Sequence, residues 1–290
     1  MHAMSVVGFR CFSILCLSLA AQGAVEAQEA PAGFDVQGHR GCRGLAPENT
    51  LPAFEKAIEL GVTTLELDVQ VTHDGVLVVH HDTRLNPKLC ISAEGEKITR
   101  RPLSKVDYRE IADLDCGSRR PGRFPDQTLA PGARIPRLEE VLELARDAPY
   151  PVWVSIEIKQ PIGGLPLPLD EAVERMVSQV ERFGLEERTI IQSKWGEVLA
   201  AVHERSPALE RSLVVRIASA RRWIEDGSAT IVSRKYQYMS RGEVGNLQQQ
   251  GIRVVPWTVN KPKEIQKLMM WGVDGIITDY PDRALVLLAK

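Results

Sequence analysis

The chain has 290 residues, a formal net charge of -2 at pH 7, and 26% charged residues of both signs. Non-specific nucleic-acid binding depends on basic patches, so a mildly acidic and well-mixed chain argues against a nucleic-acid partner. The length suits a single α/β barrel domain with a large hydrophobic core.

The N-terminal segment has the features of a secretory signal peptide. Arg10 precedes an apolar run over residues 11–21, and Val25-Glu26-Ala27 offers a small-x-small cleavage pattern. The run is too short to span a bilayer comfortably, and no other stretch is apolar enough to do so. We predict a signal peptide over residues 1–27 and a periplasmic or secreted domain over residues 28–290, without stable membrane insertion. An uncleaved anchor is the alternative.

Removal of that segment would leave three cysteines, an odd number for an exported protein. Cys90 and Cys116 flank a polar, irregular stretch, which they could bridge, or both could remain free thiols. Cys42 lies close to His39 in the sequence. A Cys-His nucleophile is conceivable there, but a small residue in the loop after a strand is the simpler interpretation.

Strand-like and helix-like segments alternate along the rest of the chain. A strand at 34–37, a helix at 50–60 and a strand at 63–71 are followed, after the turn Asp74-Gly75, by a strand at 76–80. Further strands are predicted at 152–158, 189–192, 211–216, 252–258 and 275–278, and further helices at 138–145, 171–183 and 264–271. This order predicts a TIM-like (β/α)8 barrel with an insertion after the third strand. A doubly wound open sheet is the alternative, but the first strand lacks the expected Gly-rich phosphate loop.

The insertion covers residues 82–136 and is rich in Arg, Pro, Gly and Asp, with only a weak helical pattern at 106–114. A loop of this length inside a barrel is usually functional or stapled. We predict that it lies over the mouth of the barrel and shapes the substrate pocket. The alternative is a mobile surface excursion with no role.

Acidic side chains recur inside the apolar strands. Glu66 and Asp68 face the same side of one strand, and Glu157 lies between aliphatic neighbours in another. Three carboxylates gathered at a barrel mouth repel one another, and a hard cation such as Mg²⁺ or Ca²⁺ relieves that repulsion. Zinc is less suitable, because its sites usually draw on His or Cys. The alternative is a structural network with Lys and Arg side chains.

The turn at Asp74-Gly75 is too short for a crossover helix, so it predicts an antiparallel hairpin. A turn centred there places Asp68 roughly opposite His81 and returns His81 to the level of the acids. His80 then points to the other side.

The chain resembles the glycerophosphodiester phosphodiesterase family in an ordered set of motifs that extends over almost all of the predicted mature domain. These motifs are Gly38-His39-Arg40-Gly41, Pro47-Glu48-Asn49-Thr50, Glu66-Leu67-Asp68-Val69, Thr72-x-Asp74-Gly75, Val78-Val79-x-His81-Asp82, Glu157-Ile158-Lys159, Gln192-Ser193, Trp257-Thr258-Val259-Asn260 and Thr278-Asp279-Tyr280-Pro281.

The resemblance implies a TIM-like barrel with its site at the carboxyl face and roles for particular residues. One divalent cation, Mg²⁺ or Ca²⁺, would be held by Glu66, Asp68 and Glu157, with Arg40 and Lys159 at the phosphate and His39 and His81 as acid and base. We assign His39 as base and His81 as acid, an order that the sequence does not determine. Trp257, at a strand end, could pack against the glycerol or fill the barrel core.

The implied function is metal-dependent hydrolysis of a small glycerophosphodiester to sn-glycerol 3-phosphate and an alcohol. A lysophospholipase D-like activity and a catalytically silent barrel that binds phosphorylated ligands are the alternatives. Lys194 stands where the family usually has an aromatic residue, and positions 83–87 lack its common Arg-Thr-Thr run. Both departures lie near expected substrate contacts, so the head group stays open, as do the choice of metal and the oligomeric state.

Three further polar residues have subsidiary predicted roles. Glu48 and Asn49 are expected to organise the start of the first helix. Asp279 follows the last strand and is expected to hydrogen-bond loops near the mouth of the barrel.

Overall fold

Parallel strands alternate with helices along the chain. The computed structural model describes Met1 and residues 33–159, 166–215 and 217–289. The strands are β1 (Asp35–His39), β2 (Thr64–Val71), β3 (Leu77–Val79), β4 (Trp153–Ile158), β5 (Thr189–Ser193), β6 (Glu210–Val214), β7 (Ile231–Ser233), β8 (Arg253–Val254) and β9 (Gly275–Thr278). The helices are α1 (Leu51–Leu60), α2 (Leu138–Arg146), α3 (Leu169–Arg182), α4 (Gly196–Arg205), α5 (Ile217–Glu225), α6 (Arg241–Gln248), α7 (Pro262–Trp271) and α8 (Pro281–Leu288).

Within the described residues, eight of these strands pair in parallel in the order β8-β7-β6-β5-β4-β2-β1-β9, and β3 lies off this path as an antiparallel neighbour of β2. Backbone hydrogen bonds join the two ends of this order. The amide of Asp274 donates to the Val254 carbonyl at 3.0 Å, and that of Ile277 donates to the Pro256 carbonyl at 2.9 Å. The predicted TIM-like barrel is therefore confirmed.

The barrel wall separates two apolar regions. Leu65, Leu67 and Val69 of β2 point outward into a large core shared with the helices. A smaller cluster inside the barrel contains Trp153, Ile190, Ile231, Val255 and Ile277. Because side chains alternate along a strand, Trp153 shares its face of β4 with Glu157. The acids therefore stand above an apolar barrel interior, at the carboxyl ends of the strands.

The β2–β3 hairpin forms, but its predicted register is wrong by one residue. Val69 lies opposite Val79, and the amide of His80 donates to the Asp68 carbonyl at 2.9 Å, so Asp68 faces His80 rather than His81. The turn explains the shift. The Thr72 amide donates to the Val76 carbonyl across a three-residue loop, whereas a two-residue turn was expected. The loop ends at Gly75, whose φ is +78°.

The insertion is an ordered lobe with its own small core. Val78 of β3 packs there with buried insertion side chains that include Leu85, Leu103 and Ile111. A disulfide joins Cys90 to Cys116, which leaves Cys42 as the free cysteine among the described residues. The predicted helix at 106–114 is wrong, because only the short 3-10 turns Leu103–Lys105 and Tyr108–Glu110 form near it.

The length of β8 and the N-terminal segment were also predicted from the sequence. β8 is shorter than the predicted strand at 252–258, since Pro256 has no N–H to donate to a neighbouring strand. The predicted signal peptide lies outside the described residues, apart from Met1. No helix in the described part of the chain is both long and apolar enough to cross a bilayer.

The disulfide should stabilise the protein mainly by restricting the unfolded insertion, since its cysteines are 26 residues apart. We expect the double variant Cys90→Ser/Cys116→Ser to lose roughly 3 kcal/mol of unfolding free energy in a denaturant titration. A reducing agent should shift the wild-type midpoint by a similar amount and leave the variant unchanged. Equal midpoints for the oxidised wild type and the variant would contradict this expectation.

Candidate active site

A polar pocket opens at the carboxyl ends of the barrel strands. Its volume is about 130 Å³. All of the predicted site residues except Asp68 line it, namely His39, Arg40, Glu66, His81, Glu157, Lys159 and Trp257. Asp68 is fully buried and lies behind two of these residues, 3.1 Å from Arg40 Nε and 3.2 Å from Lys159 Nζ. The predicted set therefore meets in one place.

The three acids converge because their strands are neighbours. Asp68 of β2 lies opposite Glu157 of β4 in the parallel register, and Glu66 lies two residues back on the same face of β2. One oxygen from each carboxylate falls within 4.8 Å of the others, and all three residues are buried. Such a spacing allows one cation to contact all three.

The loop after β1 braces these acids. The Arg40 amide donates to Glu66 Oε2 at 2.9 Å, and Asn49 Nδ2 donates to Asp68 Oδ2 at 2.8 Å. Arg40 and Asn49 both adopt positive φ, +53° and +56°, a conformation that Asn tolerates but that is costly for Arg. The loop backbone is thus held in a sparsely populated conformation that directs polar groups at the carboxylates.

The predicted roles of Glu48 and Asn49 at the start of α1 are wrong. Thr50 is the N-cap residue, and no side chain caps that helix. Glu48 instead accepts a hydrogen bond from Arg40 at 2.6 Å, and it lies 3.8 Å from Arg43. The two side chains turn towards the buried charges of the site, because buried charges are costly without partners.

Largely buried acids outnumber largely buried cations at the mouth of the described barrel. The acids are Glu48, Glu66, Asp68, Glu157 and Asp279, and the cations are Arg40, Arg43 and Lys159. When all are ionised, two negative charges remain unmatched. The acids do pair with Arg and Lys, as the structural-network alternative supposed, but that network leaves a charge deficit equal to one divalent cation.

Local pKa values reflect this imbalance. Burial, together with the neighbouring Asp68 and Glu157, raises the pKa of Glu66 well above its usual value. Burial also disfavours ionisation of Asp68, but Arg40 and Lys159 outweigh it and hold the pKa of Asp68 well below its usual value. The carboxyl group with the weaker cationic support is therefore the one that resists ionisation.

The donor set fits a hard divalent cation. All three groups offer oxygen, and Glu157 Oε1 is buried without a hydrogen-bond partner among the described residues. Buried carboxylate oxygens without partners are costly unless an ion satisfies them. Glu66, Asp68 and Glu157 could therefore hold a metal ion, and their oxygen chemistry suits Mg²⁺ and Ca²⁺ alike.

His39 is held by a carboxylate from the far end of the chain. Its Nδ1 lies 2.6 Å from Asp279 Oδ1, while its Nε2 lies 3.9 Å from Glu66 Oε2. Burial opposes ionisation of Asp279, yet the bond from His39 and the nearby Arg43 keep the pKa of Asp279 well below its usual value. An ionised carboxylate can only accept, so Nδ1 carries the hydrogen.

The other nitrogen of His39 is consequently a proton acceptor at neutral pH. Burial, reinforced by the positive charge of Arg43, lowers the pKa of His39 to about 4. The ring is then uncharged at pH 7, and with the hydrogen on Nδ1 the lone pair is on Nε2. This is the state required of a general base.

His81 has a similar arrangement in a wetter setting. Its side chain is 34% exposed, and its Nδ1 lies 2.9 Å from Asp82 Oδ1. Hydrogen bonding from His81 lowers the pKa of Asp82 to about 2, so this carboxylate also accepts from Nδ1 and leaves Nε2 for a substrate. His80 is buried away from the pocket, with Nε2 3.3 Å from the Arg84 carbonyl.

Sequence reasoning missed Arg43 and Gln192. Arg43 lines the pocket and donates to Asp279 at 2.5 Å, and Gln192 Nε2 donates to Glu157 Oε2 at 3.4 Å. Gln192 lies in the Gln192-Ser193 motif, which could have identified it as a site residue. No sequence pattern indicated Arg43, because its partner Asp279 is 236 residues away.

Comparisons with known proteins identify the family. Residues 39–283 match the model of the glycerophosphoryl diester phosphodiesterase family. The chain belongs to this family. A glycerophosphodiester phosphodiesterase of Caldanaerobacter subterraneus is 33% identical over 254 residues, which cover 87% of this chain and 96% of that protein.

Solved structures of the family have the same fold. A crystal structure from Silicibacter pomeroyi superposes with a TM-score of 0.82 at 30% identity, covering 91% of this chain and 96% of that one. An Oleispira antarctica phosphodiesterase, solved in complex with the product sn-glycerol-3-phosphate, has a TM-score of 0.74 at 23% identity and covers 89% and 98%. The predicted family and enzyme class, a phosphoric diester hydrolase, are confirmed.

The contact between His39 and Asp279 predicts a defect specific to turnover. Asp279→Asn removes the charge that orients the His39 ring, so we expect kcat for phosphodiester hydrolysis to fall by roughly 10²- to 10⁴-fold with KM little changed. Steady-state kinetics measure this, with circular dichroism to verify the fold. A folded variant with normal kcat would remove Asp279 from catalysis.

Proposed function

We propose that this protein hydrolyses glycerophosphodiesters to sn-glycerol 3-phosphate and an alcohol, using a divalent cation and His39/His81 acid–base catalysis. The observation that carries the proposal is the meeting of two imidazoles, each bonded through Nδ1 to an ionised carboxylate, with a triad of buried carboxylates in one pocket. A barrel that only bound phosphorylated ligands would not need two oriented imidazoles.

The phosphodiester anion would bind between the cations of the pocket. Arg40 bonds Glu48 through Nη1 and faces Asp68 with Nε, so its Nη2 is left for a phosphate oxygen, and Lys159 offers a point charge. Both are largely buried beside acids, so their charge acts at short range and away from water. A divalent ion on Glu66, Asp68 and Glu157 would polarise the phosphoryl oxygens when bound.

The two histidines then divide the proton transfers. His39 Nε2 accepts a proton from the nucleophile, either water or a neighbouring substrate hydroxyl, as its oxygen attacks phosphorus. The bond from phosphorus to the alcohol oxygen breaks, and His81 Nε2 donates a proton to that oxygen. Attack by the neighbouring hydroxyl gives a cyclic phosphate, which water opens in a second step. His39 finally releases its proton, and His81 regains one from solvent.

The glycerol side of the substrate is supported by two observations. Trp257 lines the pocket and also touches the apolar cluster inside the barrel, so its ring offers a flat face to a small polyol. A relative with the same fold was solved with sn-glycerol-3-phosphate as its product. The pocket is small and mainly polar, which suits a deacylated glycerophosphodiester better than a lipid chain.

We also propose that the protein works in the periplasm or as a secreted enzyme. The signal-like N-terminal segment supports export. The Cys90–Cys116 disulfide gives independent support, because disulfides persist in oxidising compartments and are rare in the cytosol.

Removing either imidazole should lower turnover sharply. We expect His39→Ala and His81→Ala each to lower kcat for glycerophosphocholine by roughly 10²- to 10⁴-fold, since each group transfers a proton in the transition state. His73→Ala is the matched control, because His73 is 69% exposed and bonds Asp107 outside the pocket. A folded His39 or His81 variant with the turnover of the control would exclude that residue.

Metal removal gives a separate test. Dialysis against EDTA should stop release of sn-glycerol 3-phosphate, and Mg²⁺ or Ca²⁺ should restore it. Glu66→Gln keeps the shape of the side chain but weakens cation binding, so its half-saturating metal concentration should rise by about tenfold or more. Calorimetric titration of the metal gives the same comparison without activity. Full turnover in the presence of EDTA would show that no metal is required.

A further inference from the structure

A second cavity adjoins the active-site pocket under the insertion. It has a volume of about 770 Å³ and lies between the loop after β1 and insertion residues 86, 88–89 and 119–123. We name it the insertion groove. Arg40, Arg43 and His81 line both the groove and the active-site pocket, so the two spaces meet at the catalytic residues. A substrate bound at the pocket can extend into the groove.

The wall that the insertion contributes to the groove is strongly cationic. Lys88, Arg119, Arg120 and Arg123 all line it, and none of the four forms an ion pair within the described residues. The Arg119 guanidinium donates to the Pro87 carbonyl at 2.9 Å, and that of Arg123 lies 4.9 Å from the Phe124 ring centroid. These contacts orient the side chains without neutralising them.

The acids of the groove are already engaged elsewhere. Glu48 pairs with Arg40 at 2.6 Å and lies 3.8 Å from Arg43. Asp82 lies 2.9 Å from His81 and accepts from Asn86 at 2.7 Å. The groove therefore has an excess of positive charge in a chain whose net charge is -2. Such a wall attracts anions and repels cationic head groups.

The segment that carries the arginines is anchored on both sides, to the insertion on one side and to the barrel loops on the other. On one side, Cys116 is joined to Cys90. On the other, buried Gln127 donates to the Arg43 carbonyl at 2.5 Å, and Phe124 packs edge-on against Tyr280, with ring centroids 6.5 Å apart. The cations are thus placed beside the mouth of the barrel by fixed contacts, which a purely solvated loop would not need.

The orientation of the reaction decides what reaches this groove. His81, the proposed acid, protonates the oxygen of the leaving alcohol, so the alcohol lies on its side of the phosphate. His81 borders the groove, whereas Trp257, the proposed glycerol contact, lines the pocket and not the groove. The glycerol and the alcohol would accordingly extend in different directions from the phosphate.

We infer that the insertion groove binds an anionic group on the leaving alcohol, so that the enzyme prefers glycerophosphodiesters whose alcohol carries a further phosphate or carboxylate. This inference rests on the proposed function. Charge-assisted bonds from arginines to a second anionic group would lower KM for such substrates. Substrates with a cationic head group, such as choline, would gain nothing from the groove.

The test compares two substrates in the full-length protein, bis(glycerophospho)glycerol and glycerophosphocholine. We expect the wild type to favour the first by about tenfold or more in kcat/KM. The triple variant Arg119→Gln/Arg120→Gln/Arg123→Gln should lower that ratio by about tenfold, mainly through KM for the anionic substrate. A control triple variant, Arg109→Gln/Arg221→Gln/Arg241→Gln, changes the net charge equally at exposed positions outside the groove and should keep the wild-type ratio.

The outcomes separate the two proposals. Hydrolysis of both substrates by the wild type, with the same ratio in the groove variant, overturns the groove assignment and leaves the proposed function in place. Cleavage of neither substrate by metal-loaded wild type overturns the proposed function, and the groove assignment with it. If the groove variant keeps the wild-type substrate ratio but no longer binds phosphatidylglycerol vesicles, the substrate assignment is overturned. The arginines would then bind a membrane surface.

Discussion

The surplus of buried negative charge at the mouth of the barrel constrains the rest of the site. Parallel strands that close into a barrel bring their carboxyl ends together, so Glu66, Asp68 and Glu157 cannot avoid one another. Burying three carboxylates is unfavourable without compensation. Arg40 and Lys159, the Arg40 backbone amide and the Asn49 side chain all turn towards them. Their incomplete neutralisation makes a divalent cation the natural remaining partner.

Closure of the barrel also creates the contact that orients His39. β1 and β9, at the two ends of the described sequence, are neighbours in the sheet, and Gly38 lies opposite Thr278. His39 follows Gly38, and Asp279 follows Thr278, so these two residues are also neighbours. His39 Nδ1 lies 2.6 Å from Asp279 Oδ1. The Asp279 carboxylate also accepts hydrogen bonds from Arg43 and Asn260, so its orientation is fixed from several directions. His39 is held by the fold rather than by its local sequence.

Barrel and insertion divide the work of the site. The barrel strands carry the acids, and the strand ends and the loop that follows β3 carry the two histidines. The insertion, held by a small core and a disulfide, adds the cationic wall beside His81. Substitutions in that wall can therefore change the groove without disturbing the strands that hold the acids. The departures from the usual family pattern at positions 83–87 fall at the start of this same lobe.

The sequence alone determined the barrel, the family and the set of residues that meet in the pocket, because alternation along β2 and β4 and the ordered motifs are local signals. It did not show β7 or the helices α4, α5, α6 and α8, whose apolar patterns are short or weak and depend on packing. The hairpin register, the turn of Asn49 towards Asp68 and the place of Arg43 were decided only by tertiary structure. Each depends on a loop conformation or on a partner distant in the chain, and the need to compensate buried charge arises only once the barrel has closed.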